Sequence, residues 1–162
     1  FDYLLGMFFS LFRRKLWDEN VKYLNMKNAK DKRWMSTFDN TCFNTIIFAN
    51  AFKNSKAYYQ SSPLSVNLYG VREWSKLYDF ITVVRIPEIL DYYRSRGMPL
   101  FKYLYCKNFA LRDFSISFGK IFLLKDAKGI NYLNFYQHII KNLIFPNVYV
   151  SLIKYIFKKE KK

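Results

Sequence analysis

The groups in this chain with reactive potential are one histidine, two cysteines and a scatter of carboxylates. Their spacing decides what they can do. His138 stands beside Gln137 in an apolar stretch, with no nucleophile and no metal ligand near it in sequence. Cys42 and Cys106 lie far apart and neither belongs to a CxxC pair, so a zinc set is not formed. They read as small buried hydrophobes. Asp79, Glu88 and Asp91 fall among basic residues and read as ordinary ion-pair partners. No phosphate-binding glycine motif of either common type is present. The expectation is a chain that is not an enzyme, with no catalytic residue, metal site, cofactor or small-molecule substrate.

The chemistry the residues do offer is cationic. Lys and Arg number 27 against 12 Asp and Glu, a formal net charge of +15, and aromatic residues reach 21%. Such a charge repels itself in the compact state unless a polyanion neutralises it, which points to nucleic acid or an anionic membrane. The cations fall in clusters: Arg13, Arg14 and Lys15; then Lys27, Lys30, Lys32 and Arg33; then Arg94 and Arg96 with Lys102, Lys107 and Arg112. Each cluster can neutralise phosphates by counterion release, and these positions are the expected RNA contacts. The favoured residues Phe, Tyr, Lys, Asn and Ile have A- and T-rich codons, as in a chain encoded in an organelle genome.

No membrane span is expected. The apolar run from Tyr3 to Phe12 stops at Arg13, well short of the roughly 20 residues a bilayer needs, and it lacks the basic lead of a targeting peptide. The run from Leu143 to Phe157 is interrupted by Pro146, Asn147 and Lys154. Residues 3–17 fit a peripheral interfacial helix as an alternative.

These residues need elements to position them. Apolar spacing predicts a helix over residues 1–20 and a strand over 21–26. Thr37 or Asp39 would cap a helix carrying Phe43, Ile46, Ile47 and Phe48. Residues 53–63 read as a loop, and Leu64, Val66 and Leu68 alternate as a half-buried strand ending at Gly70. Trp74, Leu77, Tyr78, Ile81 and Val84 trace a helix face that Pro87 halts or kinks, with Trp74, Tyr78, Phe80 and Ile81 assigned to the core. Two or three strands are expected between 100 and 124, where Phe114, Ile116 and Phe118 alternate with serines. A last helix covers 131–145. The predicted fold is α+β: a single domain over 1–157, its antiparallel sheet covered by helices on one face, with a basic N-terminal helix and a basic tail at 158–162.

One block carries a resemblance. Residues 63–94 resemble large-subunit ribosomal protein five, the 5S-rRNA-binding family of the central protuberance. The likeness lies in Gly70, Trp74, Leu77-Tyr78, Ile81-Thr82, Pro87 and Asp91-Tyr92-Tyr93-Arg94. Tyr23-Leu24-Asn25-Met26 looks like that family's first strand, and Asn108-Phe109 with Arg112-Asp113 like a later segment. A rival placement of that segment uses Asp126, Lys128, Gly129, Asn131, Tyr132 and Gln137, at the cost of a large insertion. The family's Gly-Val-Gly turn is replaced here by residues 27–33.

The resemblance implies a structural constituent of the mitochondrial large ribosomal subunit, in the mitochondrial matrix. Its partners would be large-subunit rRNA at the basic clusters, 5S rRNA, peptidyl-site tRNA, small-subunit protein thirteen across the subunit bridge, and neighbouring ribosomal proteins. By position, the tRNA-facing loop would be residues 53–62, with Lys53 and Lys56 on phosphates and Tyr58 or Tyr59 stacking. The competing expectation is an accessory subunit of an organellar inner-membrane complex.

Overall fold

A computed structural model describes residues 13–33, 35–53, 77–123 and 129–159. The chain divides into two compact units, residues 1–72 and 73–162.

In the first unit α1 runs Arg14–Asn20, α2 Met26–Ala29, α3 Phe38–Thr41 and α4 Phe43–Ala51, with a 3-10 turn at Val21–Tyr23. The strand expected at 21–26 is therefore a turn followed by a helix start. Asn25 decides it: its side chain accepts hydrogen bonds from the amides of Lys27 and Asn28, the geometry of an N-cap. Thr37 caps α3 in a reciprocal box with Asn40. Asp39 accepts instead from the Asn25 amide, at 2.8 Å. α1 packs on α4. Trp17 meets Phe43 and Phe48 edge-on, and Ile46 and Ile47 are buried.

In the second unit α5 is Tyr78–Phe80, followed without a break by a π-turn at Ile81–Arg85 and by α6, Ile86–Ser95. Pro87 lacks an amide hydrogen and its ring would strike the carbonyl four residues back. The wider turn, in which the Ile86 amide bonds to the Ile81 carbonyl, lies just ahead of it, so the helix passes through the proline. Leu77, Phe80 and Val84 are buried as expected, together with Val83, while Tyr78 is exposed and Ile81 half-buried, so the core face is turned part of the way from the expected one. Trp74 lies outside the described residues, as does the strand expected at 64–68.

α7 (Leu100–Ala110), a 3-10 turn at Leu111–Asp113 and α8 (Phe114–Leu123) occupy the stretch read as strands. Leu111, Phe114, Ser117 and Ile121 are buried, a helical repeat. Phe114, Phe118 and Phe122 form a row of ring contacts one turn apart. Among the described residues every regular element is helical, so the antiparallel sheet is overturned there and the architecture is all-α.

The end of the chain also differs from expectation. Residues 131–145 hold short pieces, with α9 at Phe135–His138, whereas the long helix is α10, Pro146–Lys159. Pro146 suits its first turn. α10 packs on α8 and on the turn before it, and Gly119 makes room: a Cβ there would lie 3.0 Å from the Tyr155 ring. Burial of Phe80, Leu90 and Leu111 contributes about 1.5–3 kcal/mol each.

Candidate nucleic-acid interface

The basic stretch 27–33, the end of α2 and the loop that follows it, has a scaffold. The Asn40 amide nitrogen donates to the carbonyl oxygens of Arg33 at 3.0 Å and Asp31 at 3.4 Å, and to Ser36 Oγ at 3.2 Å. Thr37 Oγ1 donates to the Asn28 carbonyl at 3.1 Å. The capping box that starts α3 thus also fixes the backbone that carries the lysines. Within the loop, Asp31 takes the Arg33 guanidinium in a two-pronged contact of 2.6 and 3.1 Å and also accepts from the Arg33 amide. Those hydrogen bonds hold the Asp31 carboxyl well below the usual carboxylate range.

Arg13, Lys22, Lys27, Lys30 and Lys32 are exposed and form no ion pair among the described residues. Arg14 and Lys15 are exposed too, but each reaches one turn along α1, to Asp18 at 3.5 Å and Glu19 at 3.7 Å. Such exposed pairs contribute little and break readily for a better anion. The Lys22 ammonium sits 5.5 Å from the ring centre of exposed Tyr23, an arrangement missed because residues 21–26 are read from sequence as a strand. Asn25 is the sequence signal against that strand, since it caps the helix that starts at Met26. Lys53 is exposed beyond the end of α4. Lys56, Tyr58 and Tyr59 lie outside the described residues.

The third cluster is split by the fold. Arg94 is exposed and donates to the Met98 carbonyl at 2.9 Å, closing the C-terminus of α6. Arg96 lies over Tyr92, 5.8 Å from its ring centre. Arg112 is exposed, stacked 4.6 Å over the half-exposed Phe109 ring and 3.5 Å from Asp113. Lys102 is exposed and forms no ion pair among the described residues. Lys107 is elsewhere: its side chain is 3% exposed and pairs with Asp91, which also accepts from the Tyr103 hydroxyl at 2.7 Å. Burial pushes its amine down from the ordinary lysine value despite that carboxylate.

His138 is buried with both ring nitrogens engaged. Nδ1 accepts from the Asn134 amide at 2.9 Å, which leaves the proton on Nε2, facing Glu88 at 3.0 Å. Glu88 also takes Arg85 at 2.5 Å. With no ring nitrogen left for a substrate, this trio pins α9 to α6. Among the described residues no group of three His, Cys, Asp or Glu could hold a metal ion, and no helix is long and apolar enough to cross a membrane. No protein family, curated protein or solved structure matches the chain.

Proposed function

We infer that this chain is a structural, rRNA-binding constituent of the mitochondrial large ribosomal subunit. The observation that carries the reading is the scaffolded basic loop: Lys27, Lys30 and Lys32, with Arg13 and Lys22 nearby in sequence, are exposed without an acid partner among the described residues, on a chain of net charge +15. Flexible lysine tails bind polyanions loosely. A basic loop tied at both ends to a capped helix spends less conformational entropy on each phosphate it meets. Lys22 beside Tyr23 and Arg112 over Phe109 add aromatic faces on which an unpaired base could stack.

Placement at the central protuberance, near 5S rRNA, peptidyl-site tRNA and the subunit bridge, rests on the resemblance in residues 63–94. The described part of that block is helical, and the sheet the resemblance implies is not among the described elements, so the charge carries the broader reading and the sequence block alone the narrower one. The test is sedimentation of an epitope-tagged chain from lysed organelles. It is expected to travel with the large subunit at low salt and to leave it at high salt. A chain that stays at the top of the gradient, or that remains with membranes after a carbonate wash, sinks the reading.

A further inference from the structure

We propose that the outer face of α10, continued by α7, is a docking surface for an anionic lipid bilayer, on which the second unit lies without crossing it. The buried side of α10 is Val148 and Ser151, with half-buried Tyr155, seated on α8 and the turn before it. At about 100° per residue, the opposite side gathers Leu152, Ile156, Tyr149, Ile153, Phe157 and Val150 in one uninterrupted arc of about 160°. All six are exposed, Ile153 by 53% and Phe157 by 60%. The arc contains no charge. Its neighbour on one flank is exposed Lys154.

The apolar surface continues past the start of the helix. Ile144 is 75% exposed and forms, with Leu104 and Tyr105 of α7, the wall of a shallow groove of about 300 Å³. Phe101, 86% exposed, stands one turn before Tyr105 on α7.

Charge selects the occupant. Residues 92–112 and 129–159, the described stretches from which this surface is drawn, contain no Asp or Glu. The acids of the described second unit are engaged internally: Asp79 with Lys120, Glu88 with Arg85 and His138, Asp91 with Lys107, and Asp113 with Arg112. What remains outward is apolar and aromatic side chains beside lysines such as Lys102, Lys141 and Lys154. Phosphates of RNA would complement the lysines but leave the six-residue arc in water. An acyl layer beneath anionic headgroups complements both, with the lysine stems reaching up to the headgroups and the aromatic rings at the boundary.

The inference is independent of the rRNA reading and is tested with RNA-free protein. The full chain is floated with vesicles of phosphatidylcholine, with and without phosphatidylglycerol. Binding is expected with the anionic vesicles and to be much weaker with the neutral ones. Ile153→Glu with Phe157→Glu should weaken it at least about tenfold, because two apolar anchors are lost. Lys154→Gln should weaken it about fivefold on anionic vesicles alone. Both sites are exposed, so the far-ultraviolet circular dichroism should not change. Phe157→Trp should give a blue-shifted emission quenched by brominated lipid. Absence of vesicle binding overturns the proposal, as does equal binding by the double glutamate variant. A self-association abolished by that variant, without lipid binding, would assign the face to a second copy instead.

Discussion

Glu88 is held from two sides, by the imidazole of His138 and the guanidinium of Arg85, at the point where α6 meets α9. Burial by itself would raise its carboxyl. The hydrogen bond from His138, then the charge and hydrogen bond of Arg85, outweigh burial, and the net direction is down. A carboxyl with a depressed folded-state value stabilises fully above its unfolded value of about 4.3, and that contribution disappears as the pH falls through the folded value. Glu88→Gln removes the carboxylate that pairs with the buried Arg85 side chain and should cost about 3 kcal/mol at neutral pH. It should also flatten the loss of stability that sets in as the pH falls below the unfolded value of about 4.3, measured by urea midpoints across that fall. A wild-type and variant pair whose midpoints fall in parallel would show that the acid sensitivity lies elsewhere. The sequence displayed Glu88 as an ordinary ion-pair carboxylate and His138 as a structural histidine. What it did not display was that they are partners, since the contact joins residues 50 positions apart. Lys107 escaped for the same reason: its burial depends on Asp91, on the preceding helix.

At the scale of elements, the misreading of residues 100–123 has a specific cause. Phe114, Ile116 and Phe118 satisfy a period of two, and Phe114, Phe118 and Phe122 satisfy one helical turn equally well. The serines between them fit the polar half of that alternation. Instead, Ser151 of α10 accepts hydrogen bonds from the amides of Ser115 at 2.9 Å and Ile116 at 3.4 Å, while Ser115 Oγ donates to the Val148 carbonyl at 2.8 Å. One helix thus satisfies the first turn of another. The Asn108 side chain does the same for the Asn147 amide at 3.0 Å, opening α10. Such caps come from distant residues and leave no local sequence signature, unlike Thr37 and Asn40, whose reciprocal box lies three residues apart and was partly legible. Ser151 is fully buried, so Ser151→Ala deprives those amides of a partner that water cannot replace. The expected loss is about 1–2 kcal/mol, seen as a lower urea midpoint with an unchanged slope. An unaltered midpoint would mean that α8 and α10 are joined by apolar packing alone.

For the whole molecule, the net charge of +15 sets two effects of salt against each other. Self-repulsion opposes the compact state and is screened over about 10 Å at 0.1 M salt. Phosphate binding is weakened by the same salt, because fewer counterions are released to advantage. Raising sodium chloride should therefore lift the urea midpoint of the free chain while lowering its affinity for RNA. The size of the second effect counts the contacts. If Arg13, Lys22, Lys27, Lys30 and Lys32 each meet a phosphate, the logarithm of affinity should fall against the logarithm of salt with a slope of about −4. Replacing Lys27, Lys30 and Lys32 by Gln should bring that slope to about −1.5 to −2, because three of the five charges are gone. The same triple variant should be no less stable than the parent at low salt, since these side chains are exposed and like-charged. An RNA slope left unmoved by the three substitutions would place the phosphate contacts outside the scaffolded loop and remove the observation on which the rRNA reading rests.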